Sequence, residues 1–194
     1  NLWDGLVAII MKYPKLLYYF GKITVYPSYD HITRNLLYHF LWKHFGDKEE
    51  LVRPWDDQAI MPDSDPELMN LIVNKEDLME DYKLLKAAGK MRGVNLPPNM
   101  TIYLSITSQM LMFGTAVNRL MHNIEDTSVL IPFDAIYHDK KQRHIGAFLR
   151  FSLARKRKET DLDPTETEDQ LIEDWLIKRN RKVRRILKKA GRNF

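Results

Sequence analysis

Apolar residues recur at helical spacing along most of the chain, and one segment shows the pattern most clearly. It lies between a capping residue, Ser28 or Asp30, and Gly46, which is typical of a helix end. The apolar positions between these ends follow a period of 3.6 residues and comprise Ile32, Leu36, Leu37, Phe40 and Leu41. The predicted polar face carries Arg34, Asn35, Tyr38, His39 and Lys43. A helix packed on one side is therefore predicted here.

The remaining helices are predicted from similar start and stop residues. Residues 1–26 favour an aromatic-rich helix interrupted by Pro14, and Pro66 after Asp65 marks a further helix start. A helix is predicted from Asn74 to Gly89, and another after Phe133 with a break near Gly146. The last helix begins at Asp163 and Pro164 and ends before Gly191. Its apolar stripe comprises Leu171, Ile172, Trp175, Leu176, Val183, Ile186 and Leu187.

Residues 100–118 lie within the longest uncharged stretch, since no Lys, Arg, Asp or Glu occurs between Arg92 and Arg119. The length suits a bilayer span, but six Ser, Thr and Gln side chains would be costly against lipid. We therefore expect a helix buried within protein that extends to about His122. Extended structure is expected at most in short pieces near residues 23–26 and 128–133.

These patterns predict a mainly α fold, an irregular helical domain with a long basic C-terminal helix or arm. Residues 1–158 would form the helical body and residues 159–194 the arm. Within the body, residues 47–66 are rich in Asp, Glu and Pro and are the best internal boundary. A chain of 194 residues suits one compact domain with an extension.

Charge is sorted along the chain. The net charge is +4, and removing the nine bases of residues 178–194 leaves −5. A second stretch, 140–158, holds eight bases and no acid, whereas 159–174 holds eight acids and no base. Dipole complementarity at a helix end fades within one turn and does not explain nine bases. A polyanionic partner is the favoured interpretation, against a solvated face or an internal clasp between the acidic and basic stretches.

RNA is the predicted polyanion, because Lys and Arg neutralise phosphates without reading sequence. Neighbouring proteins of a large complex are the other predicted partners, and an anionic membrane is a less favoured one. The predicted nucleic-acid-binding residues are Arg155, Lys156, Arg157, Lys158, Lys178, Arg179, Arg181, Lys182, Arg184, Arg185, Lys188, Lys189 and Arg192.

Candidate chemistry is sparse. The chain has no Cys, which excludes disulfides, thiolate metal sites and Cys nucleophiles. His39 and His44 are five residues apart and point about 140° away from each other on a helix, so they do not form a zinc pair. Asp134 with His138 has the spacing of an acid–base pair, but it is equally typical of a helix surface. No catalytic residue, metal site or cofactor is predicted.

The resulting functional prediction is a non-catalytic structural subunit of a ribonucleoprotein of ribosomal type. Residue 1 is Asn rather than Met, so either an import peptide was removed or the start is missing. A mitochondrial location is therefore expected, and otherwise an intracellular soluble or complex-bound one. Two alternatives stay open. One is an accessory subunit of an energy-transducing membrane complex, with helix 100–118 buried among spans. The other is an enzyme acting on an anionic or lipidic substrate.

Overall fold

The computed structural model describes residues 2–60, 66–157 and 168–189, which contain helices and a three-stranded antiparallel sheet. The helices are α1 (Leu2–Lys12), α2 (His31–Phe45), α3 (Pro66–Ile72), α4 (Leu78–Met91), α5 (Pro98–Leu104), α6 (His138–Arg157) and α7 (Glu168–Lys189). The strands are β1 (Tyr18–Val25), β2 (Leu111–Asn118) and β3 (Ile124–Pro132). Short 3₁₀ turns occupy Arg119–Met121 and Phe133–Ala135.

The chain divides into two compact units. One comprises residues 1–17 with 136–194, and the other is the continuous segment from Tyr18 to Ala135. The acidic segment expected as an internal boundary belongs, as far as it is described, to the second unit. The predicted boundary at residues 158/159 lies outside the described residues and stays a prediction.

The prediction of a mainly α fold is wrong, because the second unit is built on the sheet. Strand β3 is central and pairs with β1 and β2, with Val25 opposite Glu125 and Asn118 opposite Ile124. Alternate residues of β3 are buried, but two of them, Glu125 and Thr127, are polar. The apolar pattern in the sequence therefore indicated only the last part of β3. The burial of its side chains nevertheless alternates with the period of two expected of a strand.

The predicted helix over residues 100–118 is also wrong. Helix α5 ends at Leu104, and the chain then turns before β2 begins at Leu111. Thr107 stabilises this turn, since its hydroxyl accepts the Gln109 N–H at 2.9 Å and lies 2.9 Å from the Ala135 carbonyl, to which it donates. In the described parts of the chain, no helix has the length and apolar character needed to cross a bilayer.

Helix α2 confirms the predicted ends. The Asp30 carboxylate accepts the Thr33 N–H at 2.8 Å, and the Gly46 N–H donates to the Trp42 carbonyl. A Cβ at Gly46 would lie only 2.5 Å from that carbonyl oxygen, which explains the glycine. The predicted polar face is only partly exposed, because Asn35 and Tyr38 are buried. Helix α2 thus packs on two sides.

Replacing Asp30 with Ala should lower the free energy of unfolding by about 1–2 kcal/mol, since it removes the cap of α2. Asp30 also binds Arg92, with its Oδ1 2.6 Å from Nε and its Oδ2 3.0 Å from Nη2. The Arg92 guanidinium and the Thr33 N–H hold the pKa of Asp30 well below its usual range. The stabilisation is therefore present above pH 3.9 and lost as pH falls through the lowered pKa. Urea denaturation of both proteins at pH 7 and pH 3 measures it, and equal stability at pH 7 would contradict it.

The other helices agree with the predictions only in part. Helix α3 begins at Pro66 as predicted. The cap of α4 is Asp77 rather than Asn74, because its carboxylate accepts the N–H groups of Met79 and Glu80. Helix α6 continues through Gly146 without a break. The predicted start of the last helix, at Asp163 and Pro164, lies outside the described residues.

The first unit consists of α1, α6 and α7, with α6 packed against both of the others. Its buried side chains include Ile10, Ile145, Ile172 and Val183. The Asp4 carboxylate contacts His144 Nδ1 at 2.9 Å, which connects α1 to α6. The imidazole of His144, mainly through this hydrogen bond, lowers the pKa of Asp4.

Candidate functional site

The second unit contains a cavity of about 540 Å³ between α2, the segment 47–60 and β2. Its lining is mostly apolar. The charged side chains of Glu50, Arg53 and Asp56 are exposed at its margin, whereas that of Asp47 is buried. The lining residues are Tyr38, His39, Trp42, Asp47, Glu50, Val52, Arg53, Pro54, Asp56, Ala59, Ile60, Met112, Phe113, Gly114 and Thr115. A concave, largely apolar site with a few polar groups is typical of a binding site for a small molecule.

Helix α2 presents Tyr38, His39 and Trp42 to the cavity. Tyr38 is held rigidly, because its hydroxyl donates to Glu125 Oε2 at 2.5 Å and Arg34 binds Glu125 Oε1 at 2.8 Å. Burial, together with the hydrogen bond and charge of Glu125, raises the pKa of Tyr38 far above its usual range. The Tyr38 hydroxyl therefore stays protonated and fixes α2 against β3.

His39 is the side chain in this cavity with an ordinary pKa nearest neutrality. Burial, and to a smaller degree the positive charge of Lys43, lowers the pKa of His39 below 6.5, with Asp81 acting in the opposite direction. Its imidazole is therefore mostly neutral at pH 7. The described residues offer it no hydrogen-bond partner, so both ring nitrogens are available. A neutral imidazole can accept a proton from a bound substrate.

A β-bulge in β2 shapes the cavity wall. Met112 pairs with Val129 and Thr115 pairs with Thr127, so Phe113 and Gly114 together oppose the single residue Ser128. Gly114 adopts a positive φ of 94°, and its N–H lies 3.3 Å from the Met112 sulfur, a weak acceptor. Bulges of this kind are frequent beside active sites, where they turn backbone groups away from the ladder.

Gly114→Ala should lower the free energy of unfolding by about 1–3 kcal/mol, since the backbone conformation is strained for a residue with a Cβ. The added Cβ would also lie 3.0 Å from Pro54 Cδ on the opposite wall. Thermal denaturation measures the loss. Gly5→Ala is the control, because nothing lies within 4 Å of its Cβ position and α1 accommodates Ala. A Gly114→Ala protein as stable as the parent would contradict the strained bulge.

The segment 47–60 has no regular helix or strand but is attached to β2 at two places. The Asp47 N–H donates to the Met112 carbonyl and the Ile60 N–H to the Thr115 carbonyl, both at 2.9 Å. The Asp47 carboxylate is buried and accepts the Leu51 N–H at 2.6 Å. Between these attachments the segment forms the cavity wall opposite the bulge.

Among the predicted nucleic-acid-binding residues whose side chains the structure describes, all but Arg179 are exposed. Arg179 is buried, and its Nη2 donates to the Leu16 carbonyl at 2.9 Å. Lys178, Arg181, Lys182, Arg184, Arg185 and Lys188 are exposed on α7. The backbone of Arg155, Lys156 and Arg157 lies in α6, and that of Lys189 ends α7. Lys158 and Arg192 lie outside the described residues.

The other histidines that were considered lie elsewhere. His44 Nε2 contacts the buried Asp81 at 2.8 Å, and His138 Nε2 lies 3.8 Å from Glu173. Asp134 is in a 3₁₀ turn rather than on a helix with His138. Throughout the residues that the structure describes, no three His, Asp or Glu side chains are grouped to hold a metal ion. His39 was missed as a candidate because its neighbours in the cavity come from distant parts of the sequence.

Two curated proteins are similar to this chain over most of its length. One, from Bacteroides thetaiotaomicron, is 44% identical over 149 residues, which are 77% of this chain and 44% of that protein. The other, from Phocaeicola vulgatus, is 39% identical over 150 residues, or 77% of this chain and 45% of that protein. Both are named glycine N(alpha)-acyltransferase. The chain thus spans less than half the length of these relatives. No family model and no solved structure matches it.

These relatives correct the functional prediction. Both are named as enzymes, so the predictions of a non-catalytic ribonucleoprotein subunit, of RNA as partner and of a ribosomal complex are wrong. The alternative of a membrane-complex subunit also depended on a helix over 100–118, which the structure replaces with α5 and β2. The relatives come from bacteria, and nothing supports a mitochondrial location. The activity that both relatives' names state is acyl transfer.

Proposed function

We propose that this chain carries an N-acyltransfer site, in which an acyl group moves from a thioester to the amino group of glycine. The relatives supply the reaction class and the acceptor through their names. We infer a thioester donor because an amine attacks an activated acyl group and not a free carboxylate. The observation that supports a location for this site is the neutral His39 imidazole, which lines a mostly apolar cavity of about 540 Å³. Such a cavity has room for the hydrocarbon part of an acyl group.

The reaction needs a base for the attacking amine and a hydrogen-bond donor for the thioester carbonyl oxygen, which gains negative charge. The glycine nitrogen attacks the thioester carbonyl carbon, a C–N bond forms, and the C–S bond breaks with departure of the thiolate. The nitrogen loses a proton in this process, and that proton ends on the thiol that is released. An N-acylglycine and a free thiol are the products. General bases contribute about 100- to 10,000-fold to such rates when they lie near the proton.

Two lining groups fit these requirements. His39 accepts the proton of the attacking amine, because its lowered pKa keeps the imidazole neutral at pH 7. The Gly114 N–H faces a weak acceptor, the Met112 sulfur, and is therefore available to a carbonyl oxygen that gains negative charge. The buried side chains of Met112 and Phe113 line the region suited to the acyl chain.

The test is an acyltransfer assay with the protein that contains this chain. Acyl thioesters of different chain lengths are mixed with isotopically labelled glycine, and labelled N-acylglycine and free thiol are measured together. We expect equal amounts of both products and a dependence on glycine concentration. Thiol release without labelled amide would identify a thioesterase and contradict the proposal, as would a failure of every thioester to react.

A further inference from the structure

Three charged side chains at the margin of the cavity, Glu50, Arg53 and Asp56, have no part in the proposed acyl transfer. All three are exposed, whereas the interior of the cavity is formed by buried residues such as Tyr38 and Met112. The described residues provide none of the three with an ion pair. The margin therefore has uncommitted charges of both signs above an apolar interior.

The backbone that carries these side chains is held in place. Besides its bond to Leu51, the Asp47 carboxylate lies 3.2 Å from the Glu49 N–H and 3.4 Å from the Val52 N–H. Asp47 is itself attached to β2 through Met112. A single buried carboxylate thus organises the turn that leads to Arg53, and Ile60 attaches its far end to Thr115.

Glu50 adopts a left-handed conformation, with φ of 50°. A Cβ makes this region unfavourable, and non-glycine residues rarely occupy it. Strain of this kind persists where the surroundings impose it, and it is concentrated at ligand-binding positions. Here the imposed conformation places Glu50 among the lining residues of the cavity.

Arg53 is the one Lys or Arg among the described residues that line the cavity. Its planar guanidinium matches a carboxylate with two parallel hydrogen bonds, which a lysine ammonium does not. Glu50 and Asp56 are anionic and attract an ammonium group. The cavity margin thus offers a cation to a carboxylate and two anions to an amine.

From these observations we propose that Glu50, Arg53 and Asp56 form the acceptor subsite, which selects a free α-amino acid by binding both of its charges. Arg53 binds the α-carboxylate, and Glu50 with Asp56 attracts the ammonium group. This group loses one proton to water to become the amine, and His39 takes the second proton as the amine attacks and passes it to the departing thiolate. This inference rests on the proposed acyl transfer, since it concerns the acceptor of that reaction. The subsite also determines how tightly the amino acid binds, and this affinity can be measured without acyl transfer.

The test compares glycine with glycinamide, which keeps the amine but lacks the negative charge. Binding of each ligand, labelled with ¹³C, is followed by NMR titration of the protein that contains this chain. Arg53→Met should weaken glycine binding by about 10- to 100-fold, the range for a hydrogen-bonded charged group, and leave glycinamide unchanged. Glu50→Gln should weaken both ligands alike, because both carry the ammonium group. Lys86→Met, which removes an exposed charge from α4, is the matched control and should change neither.

The results separate this inference from the proposed function. Equal binding of glycine and glycinamide by the unaltered protein, or Arg53→Met binding glycine as before, would overturn the subsite. Loss of both ligands in Arg53→Met would overturn it too, since a carboxylate contact affects glycine alone. Selective glycine binding without amide formation from any thioester would support the subsite and contradict the acyl transfer.

Discussion

His39→Ala should reduce the rate of N-acylglycine formation by about 100- to 10,000-fold, since it removes the proposed general base from the cavity. Folding should be little affected, because the imidazole has no hydrogen-bond partner among the described residues. Added imidazole should restore part of the rate by occupying the space that the substitution opens. Initial rates at saturating glycine, with a melting curve for each variant, measure both effects.

Two comparisons make this result specific to His39. His31→Ala removes an exposed imidazole from the first turn of the same helix and should leave the rate within about twofold. His39→Gln retains a polar side chain of similar size but no base, and it should be as slow as His39→Ala. A His39→Ala protein with a rate within threefold of the parent would remove His39 from the mechanism.

The pH dependence gives a further check on this role. Burial and the charge of Lys43 lower the pKa of His39, so its neutral form persists below pH 6.5. The acid limb of kcat/KM for the thioester, measured at saturating glycine, should therefore have a midpoint below 6.5. Falling pH protonates the imidazole and removes the base, and His39→Gln should lack this limb. A midpoint above 6.5 in the parent protein would contradict the lowered pKa.

Asp81→Ala should lower the free energy of unfolding by about 3 kcal/mol, since it removes a buried carboxylate and the hydrogen bonds that several donors make to it. The Asp81 side chain is fully buried, and its Oδ2 lies 2.8 Å from both Lys43 Nζ and His44 Nε2. Its Oδ1 accepts the Lys75 N–H at 2.9 Å. Asp81 thus connects α4 to the end of α2, the helix that carries His39. Urea denaturation at pH 7 measures the loss.

Matched variants isolate the contribution of this carboxylate. Asp81→Asn keeps the size and one acceptor for the Lys75 N–H, so it should lose less stability than Asp81→Ala. Glu76→Ala removes an exposed carboxylate nearby and should change stability by no more than about 0.5 kcal/mol. An Asp81→Ala protein as stable as the Glu76→Ala protein would show that the buried contacts contribute nothing.

The same carboxylate makes stability depend on pH. Burial raises the pKa of Asp81, but hydrogen bonds from Lys43, His44 and the Lys75 N–H outweigh it, and the pKa is lowered. A carboxylate with a lower pKa in the folded state contributes stability above pH 3.9 and loses it as pH falls through the lowered value. The parent protein should therefore lose more stability between pH 5 and pH 2 than Asp81→Ala does.

Local sequence determined the elements whose ends depend on neighbouring residues. The end of α2 at Gly46 was predicted, and its cap was narrowed to Ser28 or Asp30, because these contacts join residues three or four apart. The start of α3 at Pro66 was predicted for the same reason. The positive charge of α7 was also evident from the sequence, since the number of Lys and Arg residues does not depend on how the chain folds.

The sheet was decided by the tertiary structure. Glu125 and Thr127 lie on the buried face of β3, where Arg34, Tyr38 and Thr115 provide their partners. These polar residues disrupt the apolar alternation that would indicate a strand. Strand β2 is an uncharged stretch that fits a helix equally well. Its pairing with β3, and the bulge at Gly114, depend on residues beyond any local window.

The candidate site could not be predicted from the sequence either, because its residues are brought together by long-range contacts. His39, Arg53 and Gly114 lie on a helix, an irregular segment and a strand, and only folding brings them to one cavity. The reverse holds for Arg179. Its basic neighbours predict an exposed side chain, but it is buried and its guanidinium donates to the Leu16 carbonyl. Sequence alone thus determined local capping and charge. Long-range packing decided which polar side chains are buried and which line the cavity.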